Sequence, residues 1–397
     1  MNRKKNKSNL KKLYNLHAWL GFQLAIIMFV ILATGTIATI SNEIDWLIFD
    51  ELRASEKPAN SPQKMPAENW QAIYATLKES YPNGQPVYLK TMGEDYLTYR
   101  ATIIDDSLHH KFVQIDQWTH KITGTMPQLT VQRFFRDFHR YLFMPALPGI
   151  IIVCFFAFIL VISLYTGLKT TRNWKKALWR FRVDQGPRIT LSDAHKLSGL
   201  WGIWFTCIIC ITGIWYLYEF SFRLVGATLE PRGAAIERVI DNSKLHLSSK
   251  DFNEIVQLAQ LTHKDWEITS IFIPQTSDKP IQMRGIKDNP LLRERAYRVY
   301  IDPITKEVID IFTPDSIGTN AYLNEYIDPL HFGFFAGLWS KLIWFFFGLA
   351  LTGLSVTGVI MSWKRTKSKA LTQTQIVTLP LLILTVIAFL FWLQRYI

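Results

Sequence analysis

HAWLGFQLAIIMFVILATG at residues 17–35 and HKLSGLWGIWFTCIICITG at residues 195–213 decide how this chain folds. Each opens on a histidine, places a glycine four residues on and a Thr-Gly pair seventeen residues on: His17, Gly21, Thr34 and Gly35, then His195, Gly199, Thr212 and Gly213. What lies between is almost wholly apolar, and roughly 20 such residues cross a bilayer core as a helix. A second pair follows the same logic. His139 opens an apolar run ending in Thr166-Gly167, and His331 opens one ending in Thr357-Gly358, with one residue of difference. Self-similarity of this kind predicts an internal duplication with four histidines at corresponding membrane edges.

The 397 residues are 49% hydrophobic and 19% charged, so an integral membrane protein is expected. Five spans are predicted, at 16–40, 147–168 (or from His139 if that helix starts early), 197–218, 342–363 and 376–393. The first run, about 25 residues long, exceeds a signal-peptide core and reads as a retained anchor. Lys and Arg concentrate in three segments, 1–12, 169–196 and 364–369, which places those segments and the N-terminus on the cytoplasmic side. The net charge of +12 is then a topology signal, and no nucleic-acid partner is expected.

Two long polar segments fall on the other side, and both repeat one pattern. A helix at 66–81 precedes PVYLK, YLTYRATII and KFVQID; a helix at 249–261 precedes WEITSIFI, PIQMRGI and RAYRVYID. Asp116 and Asp302 open matching turns with Thr119 and Thr305 three residues later, a local turn chemistry that requires no catalytic role. The expected fold class is an α-helical membrane bundle with two extracytoplasmic α+β modules, a parallel duplication of span, module and span, plus a fifth C-terminal span. The expected divisions are a basic N-terminus and first span (1–41), first module (42–136), second span (137–168), basic cytoplasmic loop (169–194), third span (195–219), second module (220–328), fourth span (329–363), basic loop (364–373) and fifth span (374–397).

The ID-x-x-T turn in such a module, set between helices bearing histidines near opposite ends, resembles the PepSY-associated transmembrane family of bacterial inner-membrane proteins. The resemblance covers about residues 12 to 365. It implies an inner-membrane location with periplasmic modules, and a role in iron acquisition as a haem-containing reductase of siderophore-held iron. No motif identifies the siderophore.

Parallel halves bring equivalent positions together about an axis along the membrane normal. His17 is therefore expected to face His195, and His139 to face His331, each pair holding one haem b through two neutral imidazoles. Crossed pairing would span the bilayer. Gly21 and Gly199, one turn from the inner histidines, are expected to leave room for a macrocycle, helix packing being an equal reading for either alone. Arg140, with Arg133, Arg136, Lys341, Lys12 and Lys196, is a candidate partner for haem propionates, though for most of these an interface or topology charge is the plainer reading. His109, His110, His120, His246 and His263 have no matching partners and read as surface or turn residues. Cys154, Cys207 and Cys210 lie in predicted spans; CIIC at 207–210 lacks the following histidine of covalent haem attachment and reads as buried apolar sulfur.

No nucleotide-binding glycine loop is present, and the longest inner loop, about 28 residues, is too short for a flavin or nicotinamide domain. A separate cytoplasmic or quinol electron donor is therefore expected, with electrons passing from the inner to the outer haem and on to a ferric siderophore. Aromatic residues Trp46, Trp215, Tyr216, Trp339 and Trp344 would line the outer edge, where an interfacial belt explains most of them. Two alternatives stand beside this reading: a cytochrome b subunit of a larger complex, and a haem-free membrane protein whose modules bind peptides or restrain a peptidase.

Overall fold

The structure is a computed structural model that describes residues 2–60, 67–105, 109–233, 236, 244–263, 265–363 and 369–396. The first apolar run is two helices, α1 (Asn2–Gln23) and α2 (Ala25–Thr39), bent by 68° at Leu24. A short helix α3 (Ser41–Ile48) leads into the first module: helix α4 (Ala67–Ser80) and strands β1 (Gln85–Lys90), β2 (Tyr99–Ile104), β3 (His110–Ile115) and β4 (Ile122–Met126). Helices α5 (Val131–Tyr141) and α6 (Ala146–Thr170) follow, then a short α7 (Trp174–Ala177).

The second half repeats the order of paired helices, module helix and four strands. Helices α8 (Pro187–Trp201) and α9 (Ile203–Leu224) break at Gly202, where an added Cβ would sit 2.8 Å from the Ser198 carbonyl. Both breaks fall seven residues after a histidine. Helix α10 (Ser249–Thr262) and strands β5 (Glu267–Phe272), β6 (Ile281–Ile286), β7 (Tyr297–Ile301) and β8 (Val308–Phe312) form the second module. Short helices α11 (Thr319–Asn324) and α12 (Ile327–Phe332) precede the long α13 (Gly337–Trp363), and α14 (Lys369–Leu393) ends the chain.

Among the described residues, three helices are long and apolar enough to cross a membrane, Ala146–Thr170, Ile203–Leu224 and Gly337–Ser362, and the bent pair Ser8–Gln23 and Ala25–Thr39 qualifies as a fourth span taken together. The fifth expected span is α14, whose apolar part, Thr378–Leu393, is shorter. It packs on α1 and α2, and the Trp392 indole donates to Asp137 on α5 at 2.9 Å. Of the basic loop expected at 364–373, residues 364–368 lie outside the described residues; from Lys369 the chain is helical. Pro66, the expected start of the first module's helix, also lies outside them, and that helix is described from Ala67.

Two expected spans start later than their histidines. His139 belongs to α5, which closes on Leu142 and Phe143, both left-handed (φ 51° and 59°), before α6 begins after Pro145. The turn is tight: an added Cβ at Gly149 would lie 2.5 Å from the Tyr141 carbonyl. His331 belongs to α12, which ends at left-handed Gly333 (φ 73°), where the Trp344 ring fills the space a side chain would need. Each of these two histidines therefore rides on a short helix separate from the span that follows it.

The two modules share one sheet. Eight antiparallel strands run β4-β3-β2-β1-β5-β6-β7-β8, joined where Tyr88, Leu89 and Lys90 pair with Phe272, Ile271 and Ser270. Edge pairing of this kind satisfies backbone groups that each four-strand meander would otherwise leave open. One face alternates apolar: Leu89, Ala101, Val113, Ile271, Met283 and Val299 are buried beneath α4 and α10, with Tyr74 stacked on Phe252 at 4.0 Å between the helices. Asp116 accepts N–H bonds from Trp118 and Thr119 at 2.8 and 2.9 Å, and Asp302 from Ile304 and Thr305 at 2.7 and 3.1 Å, closing the matching turns.

Candidate functional site

Across the halves α2 packs along α13 and α6 along α9, while within each half α1 packs along α6 and α8 along α13. That exchange brings the four histidines into two pairs. The His17 and His195 rings, from α1 and α8, have centroids 6.2 Å apart; those of His139 and His331, from α5 and α12, are 6.1 Å apart. The pairs occupy opposite ends of the bundle. Along α13, Trp344, whose indole donates to the Leu330 carbonyl beside His331, and Thr357, which bonds His195, are separated by roughly 20 Å of helix.

Each ring is oriented through its Nδ1. His17 Nδ1 lies 3.0 Å from the Ser163 carbonyl and 3.1 Å from Thr166 Oγ1; His139 Nδ1 lies 2.8 Å from the Ile31 carbonyl. His195 Nδ1 meets Thr357 Oγ1 and His331 Nδ1 meets Thr212 Oγ1, both at 2.8 Å. Those hydroxyls have already given their protons to backbone carbonyls one turn back, Thr357 to Gly353 and Thr212 to Ile208, so they can only accept from the imidazoles. All four Nδ1 atoms are therefore the protonated ones, and the lone pair sits on Nε2, the arrangement that readies a neutral imidazole to ligate a metal.

The Thr-Gly pairs, visible in the sequence only as repeat markers, are thus what positions the histidines. Thr166, Thr212 and Thr357 accept from three of the rings, and Thr34 donates to Ile31, the carbonyl that His139 uses. The glycines give the rings room. An added Cβ would stand 2.6 Å from His139 Cε1 at Gly35, 3.2 Å from His17 Cε1 at Gly167 and 3.7 Å from His195 Cε1 at Gly358. The recurrence of a Thr-Gly pair at a matching distance after each histidine of a pair was the signal that could have shown this role. Gly35→Ala is expected to destabilise the protein by about 1–3 kcal/mol through overpacking. The same change at Gly353 on α13, which faces open space, should not; thermal melts of the two purified variants compare them.

A cavity of about 500 Å³ surrounds the inner pair, lined by His17, His195, Gly21 and Gly199 among others, a volume within the usual range for small-molecule sites. Gly21 has no neighbour within 4 Å of an added Cβ, and Gly199 only Leu354 at 3.8 Å, so both open the cavity instead of seating a packed helix. Lys196 and Arg172 also line it. Of the other basic candidates, Lys341 is taken by Glu43 and Glu94 at 2.8 and 2.7 Å and is not available to a ligand. Arg133 pairs with Asp137 at 3.3 Å, and Arg140, beside His139, lies with its guanidinium 5.2 Å from the Tyr141 ring centre.

Above the outer pair, Arg293 descends from the β6–β7 loop with a side chain 2% exposed, 2.9 Å from Asp328, with Glu219 and Glu230 each at 3.4 Å. Arg298 holds Glu325 at 2.9 Å and Arg295 holds Glu230 at 2.7 Å. Burial alone would raise the Glu230 carboxyl, yet Arg295, Arg298 and Arg293 together hold it down at about 2. Asp328 also accepts from the Tyr216 hydroxyl at 2.8 Å, and that ring meets His331 edge-on at 5.1 Å. The remaining aromatic candidates are struts: Trp46 donates to the Tyr96 carbonyl and Trp215 to Asn324, while Trp339 is exposed.

The donor set can be tested against haem. Two imidazoles bonded at about 2 Å to opposite sides of one metal ion would set their ring centres roughly 6 Å apart, as both pairs stand. Among the described residues, no three His, Cys, Asp or Glu side chains converge to hold a bare ion. A group that brings its own equatorial donors, as haem does, is what two axial nitrogens fit. No curated protein matches the chain. A family model described as the PepSY-associated TM region matches residues 14–365, and with nearly nine-tenths of its length so matched the chain belongs to that family.

Proposed function

We propose that the protein is a di-haem b-type reductase of the bacterial inner membrane, built as a duplicated span–module–span unit with its N-terminus cytoplasmic and its modules periplasmic. It passes electrons outward to ferric siderophore iron. The observation that carries this reading is the pairing of four half-buried imidazoles at 6.2 and 6.1 Å with every Nδ1 committed to a hydrogen bond.

Haem bound at each pair would supply a one-electron relay at each end of the bundle. The chain's own residues do the rest. His17 with His195 and His139 with His331 would hold the iron through Nε2, and the threonines fix ring orientation and tautomer. Gly21 and Gly199 leave space beside the inner pair, where Lys196 and Arg172 stand as counter-charges for carboxylates. With His17 and His195 or His139 and His331 as its two protein ligands, haem iron would have no place free for a ferric chelate, which would take its electron without binding that iron. The donor on the other side is a quinol or a cytoplasmic redox partner.

A reduced-minus-oxidised optical spectrum of the detergent-purified protein, with haem and protein quantified on one sample, tests this directly. The expected result is a b-type spectrum at about two haems per chain. Failure to obtain a haem-loaded preparation even with haem supplied during expression would hand the modules to the binding or regulatory role.

A further inference from the structure

The sheet face opposite α4 and α10 carries a line of cations. Register places Gln114, Arg100, Lys90, Ser270, Arg284 and Arg298 directly opposite one another on six successive strands, β3-β2-β1-β5-β6-β7. Like charges in directly opposed positions destabilise a sheet, and Arg100 faces Lys90 just as Arg284 faces Arg298. Only one of the four is neutralised nearby: Arg298 pairs with Glu325. Among the described residues, Lys90, Arg100 and Arg284 form no ion pair within 4 Å of a carboxylate, and the Arg284 Nε is buried without a hydrogen-bond partner. All three are half-buried. Burial lowers the pKa of Arg100, and the charge of Arg133 lowers it further against the pull of Asp45.

This face looks toward the bundle end that holds His139 and His331. Arg298 reaches down to Glu325 just before α12, and on the other side Phe112 and Met126 pack with Trp46, Phe49 and Leu52 below the sheet. Beside the cation line, the next register row sets Tyr88 opposite Phe272, the latter 44% exposed, at the seam between the modules. Half-buried cations that form no ion pair within 4 Å among the described residues, flanked by aromatic rings, make a surface that gains free energy from a multiply charged, oxygen-rich anion bearing flat faces.

We propose that Lys90, Arg100 and Arg284 on the seam of the eight-stranded sheet bind a polyanionic aryl-oxygen chelate, of the iron tris-catecholate class, in preference to an uncharged hydroxamate chelate. As a statement about substrate it rests on the reductase reading; as a statement about binding it does not. Like charges held opposite each other for a ligand keep the chelate over the outer histidines, where an edge transfer would occur.

Gallium(III) tris-catecholate separates the two claims, because it has the charge and shape of the ferric complex and cannot be reduced. Binding is measured by equilibrium dialysis against the full chain in uncharged detergent, with gallium(III) tris-acetohydroxamate as the neutral probe. The expected result is that Lys90→Gln with Arg284→Gln weakens the catecholate complex about tenfold or more, that Lys90→Arg with Arg284→Lys retains binding, and that the neutral probe responds to neither. Equal affinity for the two probes, or an unchanged Kd in the Gln variant, overturns the proposal. So does loss of catecholate binding when phosphatidylglycerol replaces phosphatidylcholine in nanodiscs, which would assign the cations to lipid phosphate. A chain that takes up no haem even when haem is supplied, yet still binds the catecholate complex, would overturn the reductase reading and leave this site standing.

Discussion

His331→Ala is expected to reduce the haem content from about two per chain to about one and to abolish reduction of ferric chelates, while the spectrum from the remaining pair persists. The geometry makes the loss local. His331 and His139 face each other at 6.1 Å and are separated from the inner pair by much of the length of α13. Alanine removes one of the two facing imidazoles and also strands Thr212, whose hydroxyl accepts from His331 and has already donated to Ile208. His139→Ala should give the same half-loss, and the double variant should lose no more than either single, because one ligand without the other holds little. His120→Ala is the control: that residue sits left-handed (φ 58°) in the Asp116 turn, far from either pair in role. Haem-to-protein ratios of the four purified variants decide the matter. Two haems retained in His331→Ala would end the paired-ligand account.

The histidine pairs were legible because spacing alone exposed them: four of nine histidines recur at matching offsets from Gly and Thr-Gly, and parallel halves leave one sensible pairing. The role of the Thr-Gly pairs was not legible, although their positions were. A threonine that bonds a histidine 162 residues away, as Thr357 bonds His195, looks like any intrahelical threonine until α8 and α13 are packed. Lys341 shows the opposite failure. A base near a span end reads as available, and its partners Glu43 and Glu94 are remote in sequence. The break before α6 was written in the two prolines of MPALPG, whereas the 68° bend at Leu24 lies in a mostly apolar run that no proline interrupts. Fusion of the modules into one sheet was hidden for a similar reason. Both PVYLK and WEITSIF alternate as any strand does, and pairing between Tyr88 and Phe272 depends on how two distant meanders meet.

Arg293→Ala is expected to cost about 3–5 kcal/mol, the usual result of removing one partner from a buried ion cluster and leaving the others uncompensated. The side chain is 2% exposed and ties three carboxylates from three parts of the chain: Asp328 on α12 at 2.9 Å, Glu219 on α9 at 3.4 Å and Glu230 in the following loop at 3.4 Å. No water replaces a guanidinium in such a place without cost. Arg223→Ala supplies the contrast, since Arg223 bonds the same Glu219 at 2.8 Å from a side chain 48% exposed, where a pair is worth about 0–1 kcal/mol. Thermal melts of the two variants in one detergent should therefore separate clearly, and equal shifts would mean that the cluster is solvated. Combining Arg293→Met with Asp328→Asn should recover part of the loss, because the charge left behind is removed with its partner. The functional consequence follows from position. Asp328 lies one turn before His331 and accepts from Tyr216, whose ring packs edge-on against that histidine, so a loosened Asp328 frees the ring that the outer site depends on. If the Arg293 cluster is the strut between module and bundle, haem retention in Arg293→Ala should fall at the outer pair before the inner one, and the double variant should restore it in step with stability.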